Sequence, residues 1–427
     1  MIELRRLFHR YPEAGFTEFF TTAFIAAYLE NLGYTVHMGE DIYEEDRLGV
    51  PDPAELATAR QRAESLGAGK DYLDKIAGGY TGVIATLQRG NGKKAALRFD
   101  IDCVEVGEAE GNTEYNSTIP GRMHACGHDG HTAVGLKVAE AMICDHTWQG
   151  ELVLVFQPAE EGVRGGRVLS KSRYLNGTDY FCSGHLGITN SRPDTLFTNV
   201  AYSLSTSKWD IRVKGEAAHA GNYPEHGKNA LLAASDMVMH FYGIPRPSTG
   251  VAKLNVGTLN AGTGRNVVAD HADMKVETRG ETKAINETLS RKLQQVVEQI
   301  AALHDVEADC RLAGEAIFAK PAEALVADAP RYAGDAGLMV NAEPIPMLGS
   351  EDAFFFIDRV QGEGGEGIYL LFGTEIQSPH HYASFNFNEG ILDKMVKYYT
   401  LWTLDKLGGG VGETQPENSR ETAGASL

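Results

Sequence analysis

Leu152-Val153-Leu154-Val155-Phe156-Gln157-Pro158-Ala159-Glu160-Glu161 is an apolar run that stops at an amide, a proline and two adjacent carboxylates. A short continuous apolar run bounded by turn-forming residues is the pattern of a strand buried on both faces. Three other runs share the design. Residues 95–99 end in Asp100 and Asp102, residues 180–183 lead to His185, and residues 368–372 lead to His380 and His381. In open α/β sheets ligands gather at the carboxyl ends of the strands. Four strands delivering polar residues to one edge therefore predict an α/β domain with a single site.

The densest chemistry lies in Met123-His124-Ala125-Cys126-Gly127-His128-Asp129-Gly130-His131, with three His, one Cys and one Asp. These side chains offer lone pairs to a divalent metal near neutral pH. Cys126 and His128 stand two apart in a glycine-broken turn, so both can face one ion. Glu160 and Glu161, adjacent at a strand end, point in different directions. One can bind metal while the other takes a proton from water, a division suited to metal-assisted hydrolysis. Taken alone, the pair also fits a solvated helix start, and a lone His185 fits a satisfied core histidine.

At 427 residues two domains are the default. Hydrophobic content of 43% and charge of 23% are ordinary for a globular protein. A net charge of -19 argues against nucleic acid or an anionic membrane as partner. It also means that an anionic substrate needs a local positive site. Cysteines 103, 126, 144, 182 and 310 are odd in number and scattered, as expected of free thiols in a reducing cytoplasm. No apolar signal core opens the chain and no run of eighteen apolar residues occurs, so the expected address is cytoplasmic, with no membrane span.

Residues 2–32 have helical spacing with a break at Tyr11-Pro12, and residues 40–78 read as a polar, Ala-rich helical excursion without chemistry of its own. Residues 204–315 change texture: strand, helix, two strands and a long helix, a β-α-β-β-α order that reads as an inserted α+β sandwich. The large domain is then 1–203 with 316–407, and the Gly/Ser/Glu/Thr-rich tail 408–427 is expected to be disordered.

MHACGHDGHTA (123–133), FQPAEEG (156–162), GEAAHAG (215–221), GSEDA (349–353) and HHYASFNFNE (380–389) occur in the order found in the amidohydrolase branch of the metallopeptidase 20 family, and His9-Arg10-Tyr11-Pro12-Glu13 resembles the branch's opening motif. The branch includes aminoacylases, hippurate hydrolases and auxin-conjugate hydrolases. Residues 78–82, 160–166, 255–257, 264–268 and 277–280 bring the likeness nearest to hydrolases of p-aminobenzoyl-glutamate.

The resemblance implies a mixed-sheet α/β catalytic domain flanked by helices, with an inserted α+β lid and dimerisation domain. It implies two divalent ions (Zn or Mn, with Co also acceptable) on Cys126, His128, Glu161, His185 and His381, with Cys126 bridging. Glu160 is the implied general base. His380 rivals His381, which is preferred on its spacing to the Phe-Asn-Phe-Asn-Glu segment. Asp100, Asp102 and Asp129 are expected to orient ligands, and His124 and His131 to be structural. His219 is the implied oxyanion-stabilising residue, acting in its own chain's site or, as in related enzymes, across a dimer. Asn266 and Arg279 are the implied binders of the substrate carboxylate, although a surface pair of Arg279 with Glu277 or Glu281 is the plain alternative. Arg265 is a further cation available to a second carboxylate. The chain departs from the family where two acids become Asn386 and Asn388.

The expected activity is hydrolysis of N-acyl or N-aroyl amino acids, with p-aminobenzoyl-glutamate the leading substrate and other N-acyl amino acids the alternative. The expected assembly is a homodimer, or a heteromer with a related subunit. Two rivals remain: a thiol hydrolase built on Cys126, and a non-catalytic metal-binding partner, which would have little use for Glu160. A thiol hydrolase should resist chelators and die on alkylation. For the metal enzyme, we expect activity to vanish on chelation and return with added Mn or Zn.

Overall fold

The computed structural model describes residues 1–188, 192–347 and 349–408; the expected disordered tail lies outside them from residue 409 onward. The four apolar runs become the strands Lys94–Asp100, Gly150–Gln157, Tyr180–Leu186 and Glu366–Phe372. They are mutually parallel neighbours at the centre of an eight-stranded sheet. The full order is Thr35–Met38, Val83–Arg89, Gly150–Gln157, Lys94–Asp100, Tyr180–Leu186, Glu366–Phe372, Thr195–Phe197 and Met339–Asn341. Val83–Arg89 and Thr195–Phe197 enter antiparallel, which makes the sheet mixed.

Parallel strands must be covered on both faces, and the period-2 alternation divides the run residues accordingly. Leu97, Phe99, Leu154 and Phe156 pack with residues of the helices Phe19–Leu32, His128–Cys144 and Gly390–Lys406. Ala96, Val153, Val155, Phe181 and Tyr369 form a second core with the helix Phe354–Gly362. The helix His128–Cys144 sits directly on the sheet at Gly135, where an added Cβ would lie 2.6 Å from the Phe99 ring and 2.7 Å from that of Phe156. That seating delivers its N-terminus to the sheet's carboxyl edge.

A separate antiparallel sheet has the order Glu307–Ala316, Ser205–Lys214, His271–Gly280, Ala252–Ala261. The helices Ala230–Gly243 and Lys283–Leu303 pack on it around their own core of Trp209, Ile211, Val213, Phe241, Met274 and Leu293. The strand Glu307–Ala316 extends the β-α-β-β-α order read from the sequence. It escapes notice because it is an edge strand, alternating Glu307, Asp309 and Arg311 with only half-buried Ala308, Cys310 and Leu312.

The excursion after the first strand is helical, Pro53–Ser65 and Lys70–Lys75. Asp52 caps the first of these by accepting from the Ala54 and Glu55 N–H groups, each at 2.9 Å. No helix among the described residues is long and apolar enough to cross a membrane.

A buried ionic cluster lies inside the second layer. The Arg98 guanidinium, fully buried, contacts Asp100 at 2.8 Å, Asp352 at 3.0 Å and Glu351 at 3.1 Å, and donates to Gln157 at 2.7 Å. Removing one member of a buried ionic cluster leaves the remainder uncompensated, at a cost of about 3–5 kcal/mol. Arg98→Met should therefore lower the unfolding free energy measured by urea titration by an amount in that range, whereas Lys93→Met, at an exposed ion pair with Asp179, should leave it close to wild type.

Candidate metal centre

The carboxyl ends of the central strands and the start of the helix His128–Cys144 converge. Gly127, at φ 88°, turns the chain so that Cys126 and His128 approach the same space. The Cys126 sulfur lies 3.3 Å from His185 Nε2. His128 Nε2 lies 3.9 Å from both Glu160 Oε2 and Glu161 Oε1. His381 Nε2 is 3.2 Å from Glu161 Oε2. Its backbone adopts φ 68° and its N–H donates to the Ala125 carbonyl at 2.8 Å, which ties the segment to the Cys126 turn.

Hydrogen bonds to one ring nitrogen of each histidine decide what the other can do. His128 Nδ1 donates to the Asp102 carbonyl at 3.0 Å, and His185 Nδ1 donates to the Leu186 carbonyl at 2.7 Å. In each ring Nε2 is left with its lone pair facing the cluster. His131 differs: its Nε2 accepts from the Leu186 N–H at 3.1 Å and its Nδ1 meets Asp100 at 2.5 Å. Both nitrogens are engaged by protein groups. His380 Nε2 is turned to the Leu186 carbonyl at 3.3 Å, and burial lowers its pKa to about 4. Of the two adjacent histidines, His381 is the one whose ring meets Glu161.

Two buried atoms at the heart of the cluster, His128 Nε2 and Glu161 Oε1, have no hydrogen-bond partner among the described residues. Two buried acceptors without a donor are costly unless something else completes them. Burial opposes a charged His128, yet Asp100 and Cys126 raise its pKa well above the ordinary value, so the pocket favours positive charge at this point. Cys126, His128 and His185 form one group of potential ligand atoms within 4.8 Å of one another, and Cys126, Glu161 and His381 form another. Thiolate, imidazole and carboxylate suit Zn, Mn or Co. The residues present fit a divalent metal centre.

Glu160 is different in kind. Burial, reinforced by Glu351 and then Glu161, raises its pKa well above the usual carboxylate range. Burial also raises the Cys126 thiol, with Glu161 adding to the effect. That direction is opposite to the one an unassisted thiol nucleophile needs. Asp102 orients: its Oδ2 accepts from the Glu161 N–H at 3.0 Å. Asp129 does not reach the cluster, being taken up by Arg5 and His9 at 2.8 Å each.

The matching model is that of peptidase family M20/M25/M40, and it covers residues 96–405. The chain belongs to this family. It is 39% identical over 420 residues to the indole-3-acetyl-aspartic acid hydrolase of Enterobacter agglomerans, with 95% of each chain covered. It is 37% identical over 399 residues to one chain of the p-aminobenzoyl-glutamate hydrolase of Escherichia coli K12, covering 91% of each. Among solved structures, the aminobenzoyl-glutamate utilization protein of Klebsiella pneumoniae aligns at TM-score 0.80 and 34% identity, over 95% of both chains. A Bacillus subtilis protein described as a dinuclear metal binding peptidase of the M20 family shares the fold at TM-score 0.64 and 23% identity, over 96% of this chain and 98% of that one. As an M20 member, the chain is a metallohydrolase of amide bonds.

In this M20 chain a cleft of 360 Å³ opens on the cluster, lined by Cys126, Glu160, Glu161, His185 and His381 and capped by the inserted sheet. Arg279 lines it too, but its guanidinium is paired with Glu277 at 2.9 Å. His219 and Asn266 do not line it. Both are exposed and lie together, the Ala220 N–H donating to the Asn266 carbonyl at 3.1 Å. Glu351 also lines the cleft, with Asp352 directly behind it in the Arg98 cluster. The sequence signal for both acids is the GSEDA motif, whose spacing alone gives them no role. Asn386 accepts from Arg5 at 3.1 Å, and Asn388 from the Gly390 N–H at 3.0 Å. These two departures therefore serve helix docking and helix initiation.

Elemental analysis after dialysis can separate the adjacent histidines. His381→Ala should lower the divalent-metal content of the purified chain, and His380→Ala should leave it within about 20% of wild type.

Proposed function

We propose that the chain is a two-metal amidohydrolase that cleaves N-aroyl and N-arylacetyl amino acids with an acidic side chain. p-Aminobenzoyl-glutamate, giving p-aminobenzoate and glutamate, is the foremost substrate. The observation that carries this reading is a buried carboxylate, Glu160, held 3.9 Å from His128 beside two groups of potential metal ligands. The relatives at 39% and 37% identity both bear names for hydrolysis of an aromatic acyl group from an acidic amino acid.

Cys126, His128, Glu161, His185 and His381 would hold the two ions, which when bound acidify water and polarise the scissile carbonyl. Glu160, whose buried position raises its proton affinity, takes the proton of the attacking water and delivers it to the departing amine nitrogen. Arg279, at the cleft wall, receives the substrate's α-carboxylate as Glu277 gives way. The Asp102 and Leu186 carbonyls hold His128 and His185 in the ligating tautomer.

His219 completes the site from a neighbouring copy. Its Nδ1 accepts from the Gly221 and Asn222 N–H groups, each at 3.1 Å. The proton is therefore on Nε2, aimed outward as a donor for the oxyanion of another cleft. The inserted unit, residues 204–315, carries the contact. The helix Ala230–Gly243 exposes Leu231, Leu232, Met239 and Tyr242 beside the open edge strand Ala252–Ala261. The Escherichia coli relative is named as one subunit of its hydrolase, which favours a second reading in which the neighbour is a related chain.

Glu160→Gln should cut turnover of p-aminobenzoyl-glutamate by about 10²–10⁴-fold, with metal content unchanged. His219→Ala should cost about 10²–10³-fold. Mixing Glu160→Gln chains with His219→Ala chains should restore up to about a quarter of the wild-type rate, because random pairing leaves one intact site in half of the dimers. No recovery on subunit exchange would place His219 in its own chain's site. A Leu232→Glu, Met239→Glu double variant should sediment as a monomer.

A further inference from the structure

The inserted sheet shows the cleft four side chains. Register pairs Glu277 with Lys208 and Arg279 with Thr206 on adjacent antiparallel strands, and alternation places all four on the same face. All four line the cleft. The single acid among them is already committed: Glu277 Oε1 takes Arg279 at 2.9 Å and the Thr206 hydroxyl at 3.2 Å. Although Lys208 stands directly opposite Glu277, it forms no ion pair or hydrogen bond among the described residues.

Lys208 also lies at a junction. It borders the main cleft and a second cavity of 530 Å³, and Glu161 and His381 border both as well. Half-buried Lys208 thus shares both cavities with two of the potential metal ligands, Glu161 and His381. Around it the field is negative, from Glu160, Glu161 and Glu351 in the cleft and a net charge of -19 overall. A lone cation in such surroundings attracts an anion that enters with the substrate.

We propose that Lys208 is the specificity residue that binds the side-chain carboxylate of an N-acyl acidic amino acid, an assignment that rests on the substrate class proposed above. An α-carboxylate is common to every N-acyl amino acid and has the planar Arg279 fork to meet it. A second carboxylate distinguishes glutamate and aspartate conjugates, and an ammonium on a flexible stem accommodates either length. Arg265, the sequence's candidate for this carboxylate, is exposed on the loop beside His219 and does not line the cleft.

The test compares kcat/KM for p-aminobenzoyl-glutamate and p-aminobenzoyl-glutamine, using the full metal-loaded chain. The wild type should favour the acid. Lys208→Met should collapse that ratio by about 10–100-fold, carried in KM, the range expected from loss of one charge-assisted hydrogen bond. Lys208→Arg should recover most of it. Equal losses on both substrates, a fall in metal content of Lys208→Met, or collapse of the ratio in Arg265→Ala instead would overturn the assignment. A wild type that turns over neither compound would overturn the substrate class and Lys208's role with it. Wild-type turnover with an unaltered ratio in the variant would overturn Lys208 alone.

Discussion

Charge repulsion at the carboxyl edge of the central sheet is the constraint on which the rest of the structure turns. Asp100, Asp102, Glu160, Glu161, Glu351 and Asp352 crowd into one region, and burial makes each uncompensated charge expensive. Arg98 answers the inner side, holding Asp100, Glu351 and Asp352. Asp352 further accepts from the Gly166 N–H at 2.7 Å and from Gln157 at 2.8 Å. On the outer side the cleft arginine, Arg279, is paired with Glu277 instead. There His128 Nε2 and Glu161 Oε1 have no partner among the described residues, and a divalent cation held there would complete the balance. The crowding that raises the proton affinity of Glu160 shifts it in the direction that suits a general base.

Orientation in the cluster comes largely from the backbone. Carbonyls of Asp102 and Leu186 clamp His128 and His185, and the Leu186 N–H occupies His131. One strand end thereby sets the roles of two histidines. The N-terminal helix Ile2–Arg10 supports the opposite flank, with Arg5 reaching Asp129, Glu389 and Asn386. That network fastens the helix bearing His128 to the segment bearing His381. It also accounts for an asparagine where the family carries an acid: Arg5 already has two carboxylates, and an amide oxygen serves it as a third acceptor.

The central strands were legible because a strand covered on both faces has to be continuously apolar, and each ended in residues with no packing role. Cys126, His128, Glu161, His185 and His381 could be collected by motif. Their convergence follows from the parallel strand order, which brings the four carboxyl ends to one edge. The edge strand Glu307–Ala316 was not legible, since Glu307, Asp309 and Arg311 face water and the residues between them are only partly covered. The unpaired state of Lys208 and the pairing of Arg279 were hidden for another reason. Both depend on cross-strand register, and no local pattern encodes which strand lies beside which.

The sequence by itself determined the chemistry: the kinds of ligand, the adjacent carboxylates and the α/β framework, because these are carried by short runs whose composition has few other uses. Only the tertiary structure decided the assignments within that chemistry. It put His381 rather than His380 at Glu161, gave Asp129 to Arg5 and His9, left His219 facing out of its own cleft, and set Lys208 alone opposite an acid already taken. Each of these is a matter of which neighbour satisfies which atom, and buried polar atoms find their partners through the fold.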